Sequence, residues 1–146
     1  MSTPENSGTA NTADRGIFLT VIAILFIILA FSDFTKPLQH LRNPEGLGLV
    51  ILGHRFHTFG SNLILGPIFG AILAAYAYGL WNLKAWTAPF SIVYAFYVPV
   101  NEVLFWSRHV HEPPPRLFIL IYLALSLTGS IGTALYLAYH RDQLRS

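Results

Sequence analysis

Two short stretches hold most of the side chains that could do chemistry. "GHRFHTFGSN", residues 53–62, carries His54, Arg55, His57 and Asn62. "VPVNEVLFWSRHVHE", residues 98–112, carries Asn101, Glu102, Arg108, His109, His111 and Glu112. His54 and His57 have HxxH spacing, and His109 and His111 have HxH spacing. Neutral imidazole is the commonest protein metal ligand and a carboxylate is a suitable companion. His54, His57, His109 and His111 are therefore the candidate metal ligands, for one ion or a haem held between helices. Glu102 is the carboxylate that interrupts an apolar run. A carboxyl at the edge of hydrocarbon, with an imidazole nearby, can move protons. Glu102, Asn101 and His57 form the candidate catalytic set, acting on a lipid or isoprenoid that enters from the bilayer. Proton-coupled transport is a third use of an intramembrane carboxylate.

A plainer reading stands beside these. Glu102 pairs with Arg55 or Arg108 near the membrane surface, where long side chains snorkel to water, and the histidines meet headgroups. This reading leads: a non-catalytic membrane subunit or partner-binding protein, with the metal or acid–base enzyme as the alternative. The motifs narrow the field further. No GxGxxG, Walker, GxSxG or HExxH pattern is present, and the chain has no cysteine. Phosphate cradles, serine elbows and thiolate chemistry are set aside, and no cofactor is assigned. A net charge of +2 with no basic run argues against nucleic acid as a partner.

The elements that must position these residues are apolar blocks. The chain is 53% hydrophobic and 11% charged, where soluble domains average about 25% charged. Four blocks, about 16–32, 59–81, 86–106 and 117–139, fall within the range of about 17 to 25 residues that crosses hydrocarbon, the first at its short end. Only helices satisfy their own backbone in lipid without closing a barrel. The expected fold is an all-α integral membrane four-helix bundle, with the lipid bilayer as its first partner. The short "NLKA" link predicts a tight hairpin between helices two and three. The connection of residues 33–58 is long, and its apolar piece at 47–52 is expected to extend the second helix or to lie flat at the interface. An early start to that helix would put His54 and His57 on one side of it. Residues 1–15 read as a disordered tail and 141–146 as a polar one.

Alternate crossing puts both termini at one face. It puts the 33–58 and 107–116 connections at the other, which gathers five of the six histidines. A polar pocket of His54, His57, Asn62, Asn101, Glu102 and His109 is expected there, with Glu102, Trp106 and His109 on one stripe of helix three. Gly66 and Gly70, and Ser126 and Ser130, are small-residue ridges suited to close helix packing in the bundle or to a homo-oligomer or a membrane protein partner. With Arg55 and Arg108 assigned to the polar cluster, the remaining basic residues stand four to three in favour of the face with the termini, which points to cytoplasmic termini. The phrases "YAYGLW" and "YAFYVPVNEVLFW" resemble those of small bacterial multi-span proteins, which implies an inner-membrane location.

Overall fold

The computed structural model describes residues 16–44, 48–109 and 116–145. The N-terminal tail, His111 and Glu112 lie outside the described residues. The chain is mostly helical. In order come α1 (Gly16–Phe34), a short α2 (Lys36–Arg42), β1 (Leu49–Ile51), β2 (His54–Phe56), α3 (Phe59–Trp81), α4 (Thr87–Arg108) and α5 (Arg116–Tyr139), then a 3-10 turn (Arg141–Gln143). Among the described residues, α1, α3 and α4 are long and apolar enough to cross a membrane. Pro67 and Pro99 lie inside α3 and α4, which run through them.

The helices pair in a way the loops do not announce. α1 packs mainly on α3, and α4 mainly on α5. α3 and α4 are joined by the short turn around Asn82 and Lys84, yet they meet only sparsely along their length. A short link thus brings their ends together without making them principal partners. The α1–α3 seam runs antiparallel. Gly66 sits under the Asp33 carbonyl and Gly70 under Ala30 and the Phe34 ring, so the Gly66/Gly70 ridge is occupied within the chain. Where the seam meets α4, Tyr76 is buried with its ring 4.8 Å from Phe26 and 4.5 Å from Phe90. Its hydroxyl is hydrogen-bonded with Ser91, which in turn donates to the Ala88 carbonyl at 2.7 Å. The phenol thus keeps a partner in a setting where an unpaired hydroxyl would be costly.

α3 ends in a Schellman motif. The Lys84 N–H donates to the Gly79 carbonyl at 2.9 Å and the Leu83 N–H to that of Leu80 at 3.3 Å. The left-handed position that glycine usually fills is held by Leu83, at φ 51°. Burial of the leucine side chain in the core offsets its backbone strain of about 1–2 kcal/mol. The polar C-terminal segment folds back on this turn. Ala85 N–H donates to the Arg145 carbonyl at 2.8 Å, Arg145 N–H donates to that of Leu83 at 2.6 Å, and Leu144 packs on the core. The start of α1, the α3–α4 turn and the end of α5 therefore share one end of the molecule: Gly16 lies beside the Tyr136 hydroxyl.

The connection before α3 corrects the helical expectation. Residues 49–56 form an antiparallel β-hairpin, with Leu49 opposite Phe56, Val50 opposite Arg55 and Ile51 opposite His54. β-Branched Val50 and Ile51 favour the extended chain. Leu52 and Gly53 make the two-residue turn, both at positive φ (48° and 73°), the type I′ geometry that matches strand twist. No helix can pass through two left-handed residues. His54 and His57 consequently lie before α3, not on it. The helix starts at Phe59, and its cap is Thr58, whose Oγ1 accepts from the Ser61 N–H.

Candidate functional site

The polar residues of α4 converge on the tip of this hairpin. A two-residue turn leaves backbone groups with no ladder partner, and each must find one. The Asn101 side-chain oxygen accepts from the Gly53 N–H at 3.1 Å. Arg108 Nη1 donates to the Leu52 carbonyl at 2.9 Å. The Tyr97 hydroxyl is hydrogen-bonded to the Leu52 backbone. Gly53 itself rests on Leu104. At 100° per residue, Tyr97, Asn101, Leu104 and Arg108 fall within about 60° of arc, so one face of α4 forms the seat. That seat lies roughly 6–10 Å in from the end of α4, taking 1.5 Å per residue back from Arg108 to Leu104 and Asn101.

The other end of the hairpin is tied to α3. Asn62, only 1% exposed, donates from Nδ2 to the carbonyls of Thr58 at 2.9 Å and Phe56 at 3.3 Å. The hairpin is thus clamped at its tip by α4 and at its exit by α3. This accounts for two of the odd polar residues in the apolar run, Asn101 and Arg108. They serve chain segments 48 and 56 residues away.

The remaining candidate residues take separate places. His54 is exposed on β2. His57 is exposed, its Nδ1 3.4 Å from the Arg55 carbonyl. His109 turns back on its own helix, with Nδ1 2.9 Å from the Phe105 carbonyl and its ring stacked on Phe105 at 4.4 Å. Glu102 is 8% exposed. Its stripe, shared with Trp106 and His109, is turned roughly 140° around α4 from the hairpin seat. Asn101 and Glu102, adjacent in sequence, therefore address different neighbours. Among the described residues no three of His, Asp or Glu come together as a metal set. Two buried polar atoms, Asn62 Oδ1 and Trp106 Nε1, have no hydrogen-bond partner among the described residues.

Reasoning from the sequence missed Tyr97 and the Leu52–Gly53 turn. A signal was present: Tyr97, Asn101 and Arg108 recur at four and seven residues, one face of a helix, opposite a Gly-containing break in a β-branched run.

Leu52 is a bulky residue at positive φ and is 51% exposed, so packing does little to offset its strain. Two substitutions isolate the strain. Leu52→Ala and Leu52→Gly both remove the side chain, and only glycine relieves the left-handed backbone. The glycine variant is expected to be the more stable of the two by about 1 kcal/mol. Detergent-solubilised melting curves of the pair measure this; equal midpoints would show that residue 52 is unstrained.

Comparison with known proteins adds no constraint: no family model, curated protein or solved structure matches the chain.

Proposed function

We propose that the chain is a four-span integral membrane protein, with α5 as the fourth span, that acts as a non-catalytic subunit or partner-binding protein rather than as an enzyme. The reading rests on the employment of Asn101 and Arg108. By sequence Asn101 is a candidate for the catalytic set and Arg108 a candidate partner of Glu102, and both are engaged in holding backbone of the Leu52–Gly53 turn. Helices α1, α3 and α4, each apolar enough to span, support the membrane setting. Its place is the bacterial inner membrane, with termini in the cytoplasm and the clamped hairpin at the opposite surface. Partner contact through the Ser126/Ser130 face of α5 belongs to the same proposal.

The chain has no cysteine, so single introduced thiols report without background. Cysteines at positions 45 and 112 are expected to react with a membrane-impermeant reagent from the same side. Reaction from opposite sides would remove the four-span arrangement. For the absence of chemistry, the purified protein is expected to be colourless and free of stoichiometric metal. Infrared difference spectra of parent and Glu102→Gln are expected to show no carboxyl titrating near neutrality. A Soret band, one bound metal per chain or a neutral-range carboxyl would return the reading to the enzyme class.

A further inference from the structure

We infer that the face formed by α2, the hairpin and the ends of α3 and α4 is a docking surface for acidic phospholipid, whose phosphate it takes with Arg42 and its neighbouring cations. The inference rests on the membrane-spanning reading above and adds a ligand class to it.

Three observations carry it. First, this end carries fixed cations on three elements. Lys36 and Arg42 lie on α2, Arg55 on β2 and Arg108 at the end of α4, with Arg42 and Arg108 exposed. Among the described residues the carboxylates there are Asp33, which lies in electrostatic reach of Lys36, and the buried Glu102. Asp33 offsets part of the Lys36 charge, which leaves Arg42 as the principal cation on α2. Imidazoles of His54 and His57 stand exposed beside them.

Second, the cations are interleaved with large apolar side chains that stand exposed among the described residues. Leu38 and Leu41 on α2 are 62% and 66% exposed, and Phe59 opens α3 with its ring 6.2 Å from that of His40. A short helix with leucines three apart and basic residues around them suits the boundary between acyl chains and headgroups.

Third, the surface is held in place. α2 packs on α3, and its corner with α1 is tied by Gln39, which donates to the Ser32 carbonyl at 3.0 Å and to Thr35 Oγ1 at 2.9 Å. The hairpin is clamped as described. A fixed array of cations beside an apolar strip loses little freedom when a lipid arrives. Basic residues at a membrane surface each contribute to holding acidic lipid, and the phosphate is the shared feature of those lipids.

The test uses the full chain purified in a neutral detergent. It is titrated with phosphatidylglycerol, phosphatidylcholine or glycerol phosphate, reading the melting midpoint and the lipid retained in native mass spectra. Phosphatidylglycerol is expected to raise the midpoint and stay bound, whereas phosphatidylcholine and the soluble headgroup do neither. The variant Lys36→Gln/Arg42→Gln should weaken phosphatidylglycerol about tenfold. Arg42→Lys should keep most of the preference. Lys84→Gln/Arg141→Gln, at the opposite end, should leave it unchanged. If the double variant does not fold, Arg42→Gln alone, at an exposed side chain, carries the comparison.

Equal retention of the two lipids would overturn the inference, as would equal loss in both double variants. A full shift with glycerol phosphate alone would also overturn it, by making the site one for a soluble anion. No lipid response together with a bound protein would make the face a protein docking surface and sink the lipid assignment. A chain that stays monodisperse in buffer without detergent would fail at the earlier step, the membrane reading itself.

Discussion

Gly53→Ala is expected to release the hairpin from α4 and to lower stability by about 3 kcal/mol or more. Two costs add. Residue 53 sits at φ 73°, where an L side chain is strained by about 1–2 kcal/mol. The added methyl would also lie 2.6 Å from the Leu104 carbonyl carbon and 2.8 Å from its oxygen, which is backbone of a packed helix and cannot swing aside. The turn must lift. Lifting it breaks the bond from Gly53 N–H to Asn101, the bond from Arg108 to the Leu52 carbonyl and the one between Tyr97 and the Leu52 backbone, each worth about 1 kcal/mol net and more where the freed group stays away from water. Melting in detergent reads the stability. A single cysteine at Leu49, which is 7% exposed, reads the local event. Its thiol should be protected in the otherwise native chain and label quickly with Gly53→Ala. Unchanged melting and labelling would show that the hairpin does not depend on its seat.

The contrast between what could and could not be read from residue order is physical. Long apolar runs announce helices in lipid because hydrocarbon leaves the backbone no other partner over 20 residues. The blocks at α1, α3 and α4 carry that signal in composition alone. Which helix lies against which is another matter. In water an apolar face marks the packed side, but in a membrane both faces are apolar, so Ile28 and Phe96, both exposed, look no different in sequence from buried Leu19 and Leu80. The choice of α1 for α3, and of α5 for α4, rests on shape, and shape shows only faintly as glycine spacing. The hairpin was hidden for a further reason. Its strands are three residues long, and its turn reads Leu-Gly where Asn-Gly would have been conspicuous. The candidate residues were legible by type but not by partner. Asn101 looks like a substrate ligand, and Arg108 like a partner of Glu102, until the distant backbone they satisfy comes into view.

The seam between α1 and α3 supplies the other large effect. Helices in a bilayer gain little from leaving hydrocarbon for one another, so close packing must hold them. Gly66 is where this packing is tightest: a methyl there would stand 2.6 Å from the Asp33 carbonyl oxygen and 3.2 Å from the Lys36 β-carbon. At Gly70 it would meet the Phe34 ring at 2.9 Å and the Ala30 carbonyl oxygen at 3.0 Å. Gly66→Val/Gly70→Val is therefore expected to push α1 off α3, open the Phe26–Tyr76 contact and abolish cooperative melting. Gly66→Ala alone should cost about 1–3 kcal/mol, the usual penalty for overpacking. Gly129 provides the internal control. It lies in α5, a β-carbon there meets nothing within 4 Å, and Gly129→Ala should stabilise the helix by about 0.5–1 kcal/mol. The same chemical change is thus predicted to act with opposite sign at two helical glycines, which no effect on the unfolded chain can produce. The set also separates the two uses of a GxxxG ridge. If Gly66 and Gly70 pack on α1, the variants lose monomer stability at any protein concentration. If the ridge instead joined two copies, Gly66→Val/Gly70→Val would leave a stable monomer and change only the mass measured by light scattering in detergent, and the α1–α3 seam described above would be the wrong one.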